Sequence, residues 1–275
     1  MKSHLTKAPD GTITLTITIA KADVAKAQTA VIAQTVAKTE LPGFRKGKAP
    51  KNLVEEKIDP LTLQEDTLRS LLPTAYTEAV AEHNIKPIMN PKIHVESIEK
   101  DADWQFTATT CEAPEVTLGA YKDAVKSVTA KAKIVLPGKK QQEISFDEVL
   151  DAVLTKATVG IPTVLLEAEV DRLLSQLLDE VKTLGLSLDQ YLASTHKTVE
   201  EVKKDYEERA KRDAAIEFVL QKIADDEKIQ VSQQEITEAI AKATTPEEKE
   251  NLQKNTYLLA AILRQQKTFD FLKNL

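Results

Sequence analysis

Glycine is scarce in this sequence, at 7 of 275 residues. Aromatic residues are scarce too: 6 Phe, 5 Tyr and 1 Trp make up 4%. So few glycines argue against an all-β chain built on many tight turns, because those turns draw on Gly for positive φ. They also leave little room for a Gly-rich nucleotide fold, as the few rings do for an aromatic-lined pocket. A single cysteine, Cys111, excludes an intrachain disulfide and a Cys-based zinc cluster. It reads as a small buried hydrophobe. No apolar run approaches the ~20 residues that a spanning helix needs. The opening MKSHLTKAPDGT lacks the apolar core of a secretory signal, so the expected compartment is the cytoplasm. The four histidines, His4, His83, His94 and His196, stand in no HExxH pattern and none lies near Cys111. Neither GxxxxGK[ST] nor GxGxxG occurs. No catalytic, metal-binding or cofactor-binding residue is therefore expected.

What is present is an ordinary core-forming composition, 42% hydrophobic and 29% charged. A length of 275 residues suggests two domains at about 150 residues each. The net charge of −6 discourages a global role in binding nucleic acid but leaves room for a local basic patch.

Residues 12–19 alternate strictly, with Ile13, Leu15, Ile17 and Ile19 on one face and four threonines on the other. Period two with β-branched residues predicts a half-buried strand, and the uncharged polar face predicts a sheet partner. Residues 22–38 are Ala-rich and helical, stopped by Pro42 and Gly43. A second helical stretch follows Pro50, Pro60 interrupts it, and a longer helix runs over about 61–83. Two strands close the unit, 92–97 and 104–110, the second with Trp104, Phe106 and Ala108 on one side. The expectation is a small α+β domain over 1–118 in the order β-α-α-α-β-β.

Between the first two helices lies Leu41-Pro42-Gly43-Phe44-Arg45-Lys46-Gly47-Lys48-Ala49-Pro50-Lys51. Gly43 and Gly47 fall within five residues, and Arg45, Lys46, Lys48 and Lys51 meet no acid between Glu40 and Glu55. In an acidic chain this is a concentrated positive island. Cations attract phosphate or carboxylate, and an aromatic ring docks in a pocket or stacks on a base. The alternative is a solvated helix connection with Phe44 folded back onto the core.

Gly43 to Pro50, placed between two helices after an alternating Thr/Ile strand, resembles the ribosome-docking signature of the trigger factor family, bacterial chaperones at the exit of the polypeptide tunnel. Pro114 followed by Glu115-Val116-Thr117-Leu118-Gly119 resembles the end of that family's ribosome-binding domain. The resemblance implies that Phe44, Arg45 and Lys46 contact a ribosomal protein and adjacent large-subunit RNA, supported by Gly43, Gly47, Lys48 and Pro50.

Residues 119–140 carry six lysines against Asp123, and Val125, Val128, Ile134, Val135 and Leu136 suggest an extended segment ending at Pro137-Gly138. The range 119–144 is read as a linker. Beyond it every signal is helical. Start boxes recur at Ser145/Glu148, Thr198/Glu201, Ser232/Glu235 and Thr245/Glu248. Helices are expected at about 145–158, 162–184, 188–194, 198–227, 232–242, 246–254 and 256–272, an all-α domain over 145–275. The helix from Pro162 has a broad apolar stripe from Leu166 to Leu184, while the helix from Thr198 is charged early and apolar late. The carboxylate run Asp225-Asp226-Glu227 is read as solvated.

This half is similar to the family's helical C-terminal domain, through Ile161-Pro162, Gly185-Leu186-Ser187-Leu188-Asp189-Gln190-Tyr191-Leu192 and Glu227 to Glu235. One departure stands out. Family members usually insert a prolyl isomerase domain of the FK506-binding type, about 100 residues of mostly β structure, ahead of the helical region. Only residues 120–144 separate Gly119 from the first start box, so that domain does not fit. The resemblance thus implies an ATP-independent chaperone and not an enzyme, whose partners are the ribosomal large subunit and nascent or unfolded polypeptides. A self-dimer could bury the same apolar helix faces. The competing readings are a ribosome- or RNA-binding adaptor without chaperone activity, a prolyl isomerase, and a periplasmic chaperone with a similar helical cradle.

Overall fold

In a computed structural model the described residues are 1–38, 58–99, 101–132, 145–243 and 245–275. They form two compact units: Met1–Ala113 with Pro162–Leu165, and Pro114–Ile161 with Leu166–Leu275.

The first unit opens with strands β1 (Lys2–Lys7) and β2 (Thr12–Ile19), followed by helix α1 (Lys21–Lys38). Helix α2 (Pro60–Glu82) leads to β3 (Lys92–Ser97) and β4 (Trp104–Cys111). The strands form one antiparallel sheet in the order β1-β2-β4-β3. The order expected from sequence lacked β1. Its only inward apolar residue is Leu5, so period two hardly shows, and pairing with residues Ile13 to Thr18 of β2 makes it a strand. β2 therefore lies centrally, with partners on both sides.

The inward residues of β2 and β4, Ile13, Leu15, Ile17, Ile19, Trp104, Phe106 and Ala108, are buried under Val24 of α1 and Ala75 and Ala79 of α2. Each large apolar side chain so buried contributes about 1.5–3 kcal/mol. Pro60 starts α2. Asp59 is the N-cap, its carboxylate accepting from the Thr62 amide at 3.3 Å, and Pro at the first position gives up no helical hydrogen bond. The helix expected directly after Pro50 lies outside the described residues.

The second unit begins with β5 (Val116–Thr117) and α3 (Tyr121–Ala132). The extended reading of 119–144 is thereby corrected over α3. Tyr121, Val125 and Thr129 are buried at a spacing of four, a helical face that the lysines and β-branched valines between them disguised. Helix α4 (Phe146–Leu154) stops short of the expected residue 158, and β6 (Thr158–Val159) pairs antiparallel with β5. The second half is thus helical with one short ladder, not all-α.

The remaining helices are α5 (Thr163–Thr183), α6 (Leu188–Thr195), α7 (Val199–Asp226), α8 (Gln233–Ala241), α9 (Pro246–Lys254) and α10 (Thr256–Lys273). Complete capping boxes start α4, α7 and α8 at Ser145, Thr198 and Ser232. At α9 Thr245 accepts from the Glu248 amide at 3.1 Å. A further box escaped the sequence reading: Ser187 accepts from the Gln190 amide at 3.2 Å, and the Gln190 side chain accepts from the Ser187 amide at 2.8 Å. Gln serves at that position as Glu does.

Helix α7 joins separate cores. Its early residues Val202, Tyr206 and Ala210 pack with Val170, Leu173, Leu177 and Val181 of α5. Its late residues Val219, Leu220 and Ile223 pack with Val125, Val149, Val153 and Leu272. The change from charged to apolar along this helix is the change between those surroundings.

Candidate functional site

The sequence points to two sites, a basic-aromatic segment and an apolar helical surface. Phe44, Arg45 and Lys46, with Gly43, Gly47, Lys48 and Pro50, lie outside the described residues. What the structure describes is their frame. Helix α1 ends at Lys38 and α2 begins at Pro60, so the segment is carried between two helices of one α+β unit. Val24 of α1 and Ala75 and Ala79 of α2 root those helices in the sheet core.

The exposed apolar helical surface lies on α5 and α10. Along α5, Val170, Leu173, Leu177 and Val181 are buried, while Leu178 is half exposed and Leu184 is 73% exposed. Past Gly185, whose φ of +71° turns the chain, Leu186 and Leu188 are exposed as well. On α10, Leu259, Thr268 and Leu272 face inward. Leu258, Ala261, Ile262 and Gln265 are exposed at i, i+3, i+4 and i+7, which makes a continuous outward stripe beside Tyr257, itself 89% exposed. Leu258, Ala261 and Ile262 of that stripe are apolar and Gln265 is polar; exposed apolar side chains grouped on one helix face are the kind of surface that partners cover. Sequence periodicity could identify these stripes but could not divide them into core and surface.

A third feature is a groove of about 350 Å³. Leu154, Ala157, Val159, Ile161 and Ala215 make it apolar, and Glu208, Lys211 and Arg212 rim it. Arg212 is held by Asp151 at 2.9 Å and Asp147 at 3.5 Å, tying α4 to α7 across exposed surface. Such exposed pairs stabilise by under about 1 kcal/mol. They keep a charged rim next to the apolar floor.

Electrostatics fix the helix junctions around these surfaces. The run Asp225-Asp226-Glu227, expected to be solvated, is exposed at Asp225 and Asp226 and half-buried at Glu227, and each of the three is also ion-paired. Asp225 meets Arg264 at 2.5 Å, Asp226 meets Lys222 at 2.8 Å, and Glu227 meets Lys122 at 2.6 Å. Glu227 also accepts from the Tyr121 hydroxyl at 3.0 Å. Burial, followed by that carboxylate, pushes the Tyr121 hydroxyl well above its ordinary range, while Lys122 lowers Glu227. Lys267 of α10 donates to the Gln230 carbonyl at 2.7 Å and to Glu235 at 2.8 Å. Glu235 is lowered to about 2, first by Lys267 and then by the Ser232 amide. Apart from Lys222–Asp226 and Ser232–Glu235, four and three residues apart, these partners lie 32 to 106 residues apart, which is why the sequence showed only charge runs.

Among the described residues no group of three or more His, Cys, Asp or Glu is arranged to hold a metal ion. Among them, too, no helix is long and apolar enough to cross a membrane.

An α+β unit carrying a basic segment between two helices, and a helical unit with outward apolar stripes, together define a two-part protein built for macromolecular contact. The family model described as bacterial trigger factor protein (TF) matches residues 1–144, and the model of its C-terminus matches residues 125–274. The chain belongs to the trigger factor family. Trigger factor of Natranaerobius thermophilus is 38% identical over 122 residues, covering 44% of this chain and 27% of that protein. Trigger factor of Staphylococcus aureus is 37% identical over 139 residues, covering 50% of this chain. The chain spans only about 30% of the length of that relative. A solved structure, reported for promiscuous substrate recognition in the folding and assembly activities of the trigger factor chaperone, superposes with a TM-score of 0.67. It covers 100% of this chain and 99% of that one at 14% identity, a likeness of fold. The two family matches overlap over 125–144, which leaves no stretch between them for an isomerase domain.

Proposed function

We propose that this chain is an ATP-independent cytoplasmic chaperone without isomerase activity. It docks at the ribosomal exit tunnel through Phe44, Arg45 and Lys46, and holds nascent or unfolded polypeptides on its helical surface. Docking falls to the first domain, placed from sequence at 1–118, and holding to the helical region 145–275. The observation that carries the holding role is the outward stripe Leu258, Ala261 and Ile262 beside Tyr257, with exposed Leu184 as a second patch. Several small apolar contacts bind weakly, exchange quickly and add by multivalency, so release needs no energy source. The basic-aromatic segment in a chain of net charge −6 supports docking on an RNA-rich surface.

The test compares wild type with two variants, in ribosome co-sedimentation and in suppression of aggregation of a refolding client. Alanine at Phe44, Arg45 and Lys46 should abolish co-sedimentation and leave suppression intact. Serine at Leu184, Tyr257, Leu258 and Ile262 should weaken suppression severalfold and leave co-sedimentation intact. Exposed positions of this kind shift stability by only about 0.5 kcal/mol each, so loss of fold will not mimic the result. Equal co-sedimentation by wild type and triple alanine would remove the docking role. Wild type that suppresses nothing would favour an adaptor without chaperone activity.

A further inference from the structure

The first turn of α5 carries no cap of its own. Pro162 precedes Thr163 and offers no side-chain acceptor, yet α5 runs 21 residues. A helix start leaves its leading amides without intrahelical partners and carries partial positive charge. Here the missing acceptor comes from 153 residues away: Oδ2 of Asp10 accepts from the Thr163 amide at 3.1 Å.

Asp10 sits in the turn between β1 and β2. Its Oδ1 accepts from the Thr12 amide at 3.0 Å, and its Oδ2 also accepts from the Thr12 hydroxyl at 2.9 Å. The turn is closed by Gly11, whose amide donates to the Ala8 carbonyl at 3.0 Å. Gly11 has a φ of +88°, and a Cβ added there would stand 3.4 Å from Cγ of Pro162. Pro162 and Val164 are buried in this packing. The turn thus presents one carboxylate, oriented by its own strand, to a helix start packed directly against it. Hydrogen bonds from Thr163 and Thr12 hold the Asp10 carboxyl well below the usual carboxylate range. It is therefore ionised at neutral pH, the state that suits a helix start.

Pro162–Leu165 belongs to the first unit, while α5 from Leu166 onward belongs to the second. We propose that Asp10 is a latch: it caps α5 from outside the helix and keeps Pro162–Leu165 in the fold of the first unit. Removing this one carboxylate frees the first turn of α5 from the β1–β2 turn. The inference does not depend on the proposed function.

Hydrogen exchange on the full-length chain tests it. Asp10→Ala should speed exchange of the amides at 164–166 by about fivefold, the equivalent of the ~1 kcal/mol that a lost N-cap costs. Thr163→Pro removes the donor instead, at a position early enough in the helix to tolerate proline. It should reproduce the faster exchange at 164–166 while the Thr12 amide keeps its protection. If Asp10→Ala exposes only the Thr12 amide and the β1–β2 turn, Asp10 serves its own turn and the latch is wrong. If Asp10→Ala does not fold, Thr163→Pro decides: wild-type protection at 164–166 overturns the proposal.

Discussion

Gly119 shows how a scarce residue is placed. Its φ is +54°, a left-handed conformation that costs a side-chain-bearing residue about 1–2 kcal/mol. A Cβ there would also stand 2.5 Å from the carbonyl oxygen of Lys156, which is backbone and cannot swing away. Gly119→Ala should therefore destabilise by about 2 kcal/mol or more, since strain and clash add. Gly160 is the control, because an added Cβ there meets nothing within 4 Å. Urea denaturation followed by far-UV circular dichroism should find Gly160→Ala within about 0.5 kcal/mol of wild type. Equal effects at the two glycines would refute the steric reading. Cys111 makes the opposite point, for it is fully buried in β4. Burial and then the nearby Asp10 charge push its thiol up, away from thiolate chemistry.

Helix starts were the most legible elements, because a capping box is local. The acceptor and its Glu lie three residues apart, so the sequence contains the whole interaction at Ser145, Thr198 and Ser232. The Leu and Ile face of β2 was legible for the same reason. Elements stabilised from a distance were not: β1 takes its pairing from β2, and α3 takes its buried face from α4, α7 and α10. The docking candidates were legible only as composition and family likeness.

Helix α8 lets local and distant contributions be separated. Glu235 is lowered to about 2 from an ordinary value near 4.5, first by the Lys267 ammonium and then by the Ser232 amide. A depressed folded-state pKa contributes stability above the ordinary value, and that contribution is lost as pH falls through the folded value. Glu235→Gln keeps a residue able to complete the capping box but removes the charge facing Lys267. The variant should melt below wild type at pH 7, and the gap should close as pH is lowered from about 5 to about 2. A gap independent of pH in thermal scans would assign the effect to packing rather than charge.

At the scale of the whole molecule, the buried clusters divide as the units do. Among the described residues one cluster lies on the four-stranded sheet of the first unit, and three lie among the helices of the second, one about as large as the sheet cluster and two small. The sole tryptophan, Trp104, is 2% exposed in the sheet cluster, its indole N–H donating to the Glu99 carbonyl at 3.2 Å. Its fluorescence therefore reports the first unit alone, while helical circular dichroism is dominated by α3 to α10 of the second. Coincident transitions are the test of two-state unfolding, and separate cores predict that it fails. The helical unit divides its apolar side chains among three clusters and leaves stripes of α5 and α10 in solvent, so its transition should come first. In urea, the dichroism midpoint should fall below the fluorescence midpoint. Superimposable curves would mean that the two units unfold as one.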